Sequence, residues 1–294
     1  MWSTSAVADV RIGISGWTYP GWRGDFYPRG LAHRRELEYA SRQLTSIEVN
    51  GTFYSLQKPS SFAAWAEQTP PGFVFSIKAG RFITHMKRLR GTEVAVANYF
   101  ASGPLALGAK LGPVLWQLPP TLSYDEALLR DFFSSVPRTT AQAAAAARSH
   151  DERVKQPFTD VLVEQPLLHA VEVRHASMAT DEALSLFREL DVAVVVADSA
   201  HKFPCVEEVT GSFVYVRLHG DDELYVSGYT PAALDKWAAM VRGWLTDDLD
   251  VFVYFDNDVK GYAPHDARVL MGKVDPTRSS DQADPVARGD TSSR

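Results

Sequence analysis

The segment Ser212–Gly220 reads SFVYVRLHG, and its alternation decides the fold. Side chains two apart on a β-strand share a face, so Val214, Val216 and Leu218 fall on one side and Tyr215, Arg217 and His219 on the other. The apolar face has to be covered by helices, which aims the polar face the opposite way. The split recurs in SIEVN (46–50), where Glu48 and Asn50 oppose Ile47 and Val49, and in FVFSIKA (73–79), where Ser76 and Lys78 oppose Phe75 and Ile77. It recurs again in HAVEVRH (169–175), where Glu172 and Arg174 oppose Val171 and Val173. VRIGISG (10–16), PVLWQLP (113–119), VAVVVADS (192–199) and DVFVYFDN (250–257) complete a set of β-rich runs. Between most of them lie helical stripes such as Leu128, Leu129, Phe132 and Phe133, or Leu234, Trp237, Val241 and Trp244.

Eight β-α units in a chain of 294 residues predict an α/β fold of the (β/α)8 TIM-barrel type, because a doubly wound sheet usually stops at about five or six strands. A single domain is expected over residues 1–274. The alanine-rich piece around 139–154 has helix propensity with little to bury and reads as an extra surface helix. Residues 275–294 are polar without apolar period and read as a disordered tail.

With 45% hydrophobic and 22% charged residues, the composition excludes a disordered chain, a coiled coil and a collagen-like repeat. The single cysteine, Cys205, has no partner for a disulfide and no metal-ligand spacing around it, and reads as a small buried hydrophobe. No run approaches the roughly 20 apolar residues of a membrane span and no secretory signal opens the chain, so a cytoplasmic location without membrane association is expected. A net charge of −6 argues against a protein coated with nucleic acid, while leaving room for a local basic groove.

Parity places Glu48, Asn50, Lys78, Glu172, Arg174, Arg217 and His219 inside the barrel towards the C-terminal ends of the strands, joined by Gln117, Asp198 and Asn257 or Asp256. So many interior charges are costly unless paired, and a purely structural barrel would carry Val, Ile or Leu there. The bland alternative is a closed ionic network, with Glu48 on Lys78 and Glu172 on Arg217.

The loops add chemistry above these positions. The first, GWTYPGWRGDFYP, crowds the mouth with aromatics, of which Trp17 stands nearest the strand and is the candidate for stacking on a ligand; the others suit a small satellite core. The third, GRFITHMKRLRG, is basic, with Arg81, Lys87, Arg88 and Arg90 beside His85. Together with Lys78, Arg174 and Arg217 it would offer charge-assisted donors to a phosphate or carboxylate. The seventh, HGDDELYVSGYT, sets Asp221, Asp222 and Glu223 against that idea, and its Gly220 and Gly228 suit a movable lid.

The strings SGWTYPGWRGDFYP, IEVNGTFYSLQKPSSFAAWA, FSIKAGRFITHMKRL, WQLPPTL, VEVRHASM, VRLHGDDELYVSGYTPAALDKWA and VYFDNDVKGYAPHDARVL occur in order. Together they resemble the YecE-like family, a family of TIM barrels of unknown function, over residues 10–270. Gly51 stands where the family commonly has Ser, and Met178 where an aromatic often follows, which removes an aromatic contact from that loop. The resemblance implies the barrel fold and maps its motif positions onto Trp17, Glu48, Asn50, Lys78, His85, Gln117, Glu172, Arg174, Arg217, His219 and Asn257. It brings no activity with it, and likeness of fold to metal-using sugar isomerases and apurinic endonucleases is analogy alone.

Three chemistries fit these residues. In the preferred one an enzyme without a cofactor acts on a small anionic or phosphorylated ligand. Glu48 or Glu172 serves as general acid or base, His219 shuttles a proton beside Asp198, and Trp17, Asn50, Lys78, Arg81, His85, Gln117, Arg174, Arg217 and Asn257 bind the ligand. A second uses a divalent metal on Glu48, Glu172, Asp198 and His219 to hydrolyse a phosphoester, with nucleic acid on the third loop; the absence of HxH or HExxH spacing and the interior cations count against it. The third is a ligand-binding or interaction protein without catalysis.

Overall fold

A computed structural model describes residues 8–276. Its strands are β1 (Val10–Ser15), β2 (Ser46–Val49), β3 (Val74–Lys78), β4 (Leu111–Gln117), β5 (His169–Glu172), β6 (Ala193–Val194), β7 (Val196–Asp198), β8 (Phe213–Leu218) and β9 (Asp250–Phe255). All pair in parallel in the order β6-β5-β4-β3-β2-β1-β9-β8-β7. The two ends of that order are halves of the expected run VAVVVADS, parted only at Val195, whose N–H still donates to the Val171 carbonyl at 2.9 Å. The sheet therefore closes into the expected barrel.

The helices are α1 (Glu36–Gln43), α2 (Gly51–Tyr54), α3 (Pro59–Gln68), α4 (Glu93–Ala101), α5 (Glu126–Ser135), α6 (Thr140–Ala147), α7 (Asp181–Glu189), α8 (Pro231–Thr246) and α9 (Ala263–Val274). Several start where a side-chain oxygen satisfies a first-turn N–H: Asp125 accepts from Leu128, Thr180 from Ala183 and Thr230 from Ala233. The apolar parity set, including Ile12, Ile47, Ile77, Trp116, Val171, Val216 and Val253, forms the core between sheet and helices. A second cluster fills the barrel's N-terminal half: Val74, Leu115, Ala170, Val195, Phe213, Tyr215, Phe252 and Tyr254. There small residues face large ones, and the Tyr254 and Tyr215 hydroxyls lie 2.7 Å from the Ser46 and Ser76 hydroxyls. Gly13 lies opposite Ser46, and a Cβ there would come within 1.8 Å of the Ser46 carbonyl oxygen, so β1 meets β2 only because this residue has no side chain.

Three expectations change. Helix α6 ends at Ala147 rather than near 154, and it is not surface decoration: Thr140, Ala143, Ala144 and Ala147 are buried where it packs on α4. Alanines suffice because the two helices approach closely. Cys205 is exposed, lying in the segment between β7 and β8 outside the core. The polar tail expected to be disordered begins with Asp275, whose N–H caps α9 by donating to the Met271 carbonyl at 2.9 Å, and residues 277–294 lie outside the described residues.

Candidate functional site at the barrel mouth

The inward positions meet in an ionic cluster centred on Arg217, which is fully buried. Its Nε and Nη2 donate to the two oxygens of Glu48 at 3.0 and 2.8 Å, Nη1 to Glu172 Oε2 at 2.7 Å, and Nη2 also to Asp256 Oδ2 at 2.9 Å. Nη1 lies 3.4 Å from His219 Nε2, so every N–H of the planar fork has a partner. Glu48 accepts further from Ser15 Oγ at 2.9 Å and from Tyr215 OH at 2.7 Å. Glu172 accepts from Gln117 Nε2 at 2.9 Å and from Arg174 Nε at 2.7 Å. Adjacent registers build this floor: Ser15 pairs with Glu48, Glu48 with Ser76, and Gln117 with Glu172.

Electrostatics assigns the protons. Burial alone would raise the Glu172 carboxyl, but Arg217 and then Arg174 outweigh it and hold it well below the usual carboxylate range. Asp256 is likewise pushed up by burial and pulled further down by Arg217 and by its bond with His219. Asp258 goes the other way: burial first, then the charge on Asp256, raises it well above its ordinary value and favours its protonated form. His219 Nδ1 lies 2.9 Å from Asp256 Oδ2, which fits a ring that donates from Nδ1 and accepts from Arg217 at Nε2.

Above the floor opens a cavity of about 550 Å3 lined by Asn50, Phe53, Lys78, Arg81, His85, Gln117, Arg174, Tyr225 and Asp256, with Tyr19 and Tyr54 at its sides. Lys78 is the reverse of Arg217. Its expected partner Glu48 is occupied, among the described residues its amine has no ion pair, and its Nζ stands 4.5 Å from the centre of the Phe53 ring. Burial, then the neighbouring Arg217 charge, lowers its pKa to about 8. His85 sits on a π-helical turn, Phe82–Met86, that directs it to the same cavity, and its ring meets the edge of Phe53 at 5.1 Å. Burial, then Arg174, Lys78 and Arg81, lowers it to about 4, so it is neutral at pH 7. Arg174 reaches Tyr225 OH at 3.3 Å and lies over the Phe203 ring. Tyr225 caps His219 edge-on at 5.2 Å, on a loop that turns at Gly220, where φ is +131° and a Cβ would meet the Glu223 carbonyl oxygen at 2.4 Å.

The structure thus gathers Glu48, Glu172, Arg217 and His219 beneath the mouth and Asn50, Lys78, Arg81, His85, Gln117 and Arg174 around it. The remaining expectations are corrected. Asp198 and Asn257 lie on the outward parity. Asp198 accepts from Tyr229 OH at 3.1 Å, and Asn257 donates to Asp266 and to the Ser227 carbonyl. Trp17 is absent from the cavity lining and packs edge-on against Trp65 of α3 at 5.3 Å; Trp22, Phe26 and Tyr27 form the buried satellite core beside it. In the third loop, Arg88 bonds Thr121 and Arg90 pairs with Asp125, away from the mouth. The four residues offered as a metal set do not converge: Asp198 faces outward, the Arg217 guanidinium stands between Glu48 and Glu172, and no group of three or more His, Cys, Asp or Glu suited to a metal occurs among the described residues.

Asp256 is legible by parity, since it shares a face with the inward Phe252 and Tyr254, whereas Asn257 falls with Val253 and Phe255. Tyr225 has no such signal, because loop geometry alone brings it over His219.

A family model described as "Protein of unknown function DUF72" matches residues 11–288. The UPF0759 protein YecE of Escherichia coli K12 is 32% identical over 130 residues, covering 44% of this chain and 44% of that protein. The UPF0759 protein YunF of Bacillus subtilis strain 168 is 27% identical over 122 residues, 38% of this chain and 40% of the other. The matched stretch spans less than half the length of either relative. A crystal structure of a DUF72 family protein from Thermotoga maritima MSB8 superposes with a TM-score of 0.71 at 23% identity, over 89% of this chain and 97% of that one, a likeness of fold. Among the described residues no helix is long and apolar enough to cross a membrane.

Proposed function

The chain belongs to the DUF72 family, and we propose that its barrel mouth is the site of an enzyme acting on a small anionic or phosphorylated ligand. The observation that carries the reading is Lys78: a buried amine with no carboxylate partner among the described residues, facing a cavity that Arg81 and Arg174 also line. A desolvated cation left uncompensated by the fold is compensated by a ligand of opposite charge. Arg81 and Arg174 supply planar forks matched to a phosphate or carboxylate.

The acid–base roles move upward from the residues first expected to hold them. Glu48 and Glu172 have their oxygens filled by Arg217, Arg174, Tyr215, Ser15 and Gln117, and serve to fix the cations. Lys78, neutral His85 and ionised Asp256 line the cavity, with the Tyr225 hydroxyl beside them, and can exchange a proton with a ligand there. A small anion is favoured over nucleic acid because Arg90 is paired with Asp125 and Arg88 is turned to Thr121, away from the cavity that Lys78 lines.

The test is calorimetric titration and thermal shift with inorganic phosphate, a sugar phosphate and the matching neutral sugar. The phosphorylated compounds should bind and stabilise the wild type, while Arg81→Ala and Lys78→Met should weaken each by roughly ten-fold or more, the value of a lost charge-assisted contact. Equal binding of the neutral sugar, or variants indistinguishable from wild type, would sink the reading.

A further inference from the structure

We propose that Lys78 is a nucleophile which forms an imine with the carbonyl carbon of an anionic oxo compound, a 2-oxo acid or an aldehyde bearing an acidic group. The inference deepens the reading above and rests on it for the anionic part of the ligand. Two kinds of cation line this cavity, and they suit different tasks. Arg81 and Arg174 are guanidinium groups that stay charged and suit a carboxylate or phosphate, although the Arg174 Nε and Nη2 already reach Glu172 and Tyr225. Lys78 is an amine, able to lose its proton and present a lone pair.

Its surroundings favour that loss. The side chain is 8% exposed, rises from the C-terminal end of β3 and packs its Nζ on the face side of Phe53. Among the described residues no carboxylate pairs with it, because Arg217 has taken Glu48, Glu172 and Asp256, and their more distant charges favour the ammonium less than burial and Arg217 disfavour it. The buried Arg217 charge adds repulsion from below, and a desolvated lysine beside another cation is the arrangement that activates an amine at neutral pH. Were Lys78 needed only as a fixed charge, the carboxylates of the floor would serve it better than they do.

The step balances without a further reactant. The Nζ lone pair forms a bond to the carbonyl carbon as the C=O π pair moves to oxygen, giving a carbinolamine once an amine proton reaches that oxygen. The C–O bond then breaks as the second amine proton is transferred, water leaves, and a C=N bond remains. His85, Asp256 and the Tyr225 hydroxyl line the same cavity as groups through which those protons can pass.

The experiment is reductive trapping on the full chain. Protein is incubated with glyoxylate, pyruvate or the uncharged propionaldehyde, reduced with cyanoborohydride, and examined by intact mass and peptide mapping. The expected result is a single adduct on Lys78, formed at pH 7.5 on the order of a hundred-fold faster than on exposed lysines such as Lys58 and Lys236, as the larger unprotonated fraction requires. Lys78→Arg, which removes the primary amine, should give no such adduct, while Lys58→Arg, at an exposed lysine, should leave the adduct on Lys78 intact. Labelling spread over surface lysines and unchanged in Lys78→Arg would overturn the proposal. The parent reading fails separately: a Lys78 adduct with propionaldehyde as good as with glyoxylate, and no stabilisation by phosphate, would keep the amine chemistry and discard the anion site.

Discussion

Arg217 and Lys78 share an interior and a charge yet are held in opposite ways, and substitutions should separate them. Arg217→Leu removes the counter-charge that Glu48, Glu172 and Asp256 share, leaving only Arg174 on Glu172, which should cost about 3–5 kcal/mol in urea unfolding. Freed of the guanidinium, Glu172 and Asp256 lose the largest influence that holds them down against burial, so this variant should lose less stability than the wild type as the pH falls through the carboxylate range. Lys78→Met removes a desolvated cation and should stabilise the protein at pH 7 by about 2 kcal/mol while weakening phosphate binding, a trade common at functional positions. If Lys78→Met proves less stable than wild type, the amine is structural. Parity in the sequence placed both residues inside the barrel, but not which carboxylates each would meet. That depends on strand stagger: Glu48 sits level with Ser15 and Ser76, where Arg217 reaches it and Lys78 does not.

At the scale of elements, alternation was legible wherever one face was apolar and failed where both faces were small or mixed. VAVVVADS has no polar partner at alternate positions, so Asp198 was placed inside although Ala193, Val195 and Ala197 are the inward residues. The run TAQAAAAA gave a helix but not its buried side, because alanine carries no apolar stripe strong enough to mark one; shape, not hydrophobicity, seats α6 on α4. Its start depends on the Thr139 side chain accepting from Gln142 N–H, and Thr139→Ala should lose about 1 kcal/mol by chemical denaturation. Between β1 and β2, Gly13→Ala should lose about 3 kcal/mol or more, since the added methyl meets backbone rather than a yielding side chain. A Gly13→Ala variant that unfolds at the wild-type urea midpoint would show that the two strands separate at little cost.

For the molecule as a whole, the buried ionisable groups set how stability varies with pH. Glu172 and Asp256 titrate below their unfolded values, so their contribution is present above the ordinary carboxylate range near pH 4 and is lost as the pH falls through the folded values. Lys78 has the opposite consequence at the alkaline end. Its pKa falls from 10.5 to about 8, so the unfolded chain binds more protons across that window and stability should rise with pH through it, by about 2–4 kcal/mol. Urea midpoints of wild type and Lys78→Met between pH 7 and 10.5 check this: the gap favouring the variant should close as the pH rises, and a constant gap would refute the assignment.

The pairing of β9 with β1 has a consequence for birth on the ribosome. Val10 waits for Val251, its register partner 241 residues later, and at about 5–20 residues per second that wait lasts on the order of ten to fifty seconds. Throughout it, one margin of the nascent sheet offers bare amide and carbonyl groups to any neighbouring polypeptide, a hazard for aggregation. A chaperone that shields the first strand until the last is synthesised would therefore raise the yield of folded protein more than one acting after release.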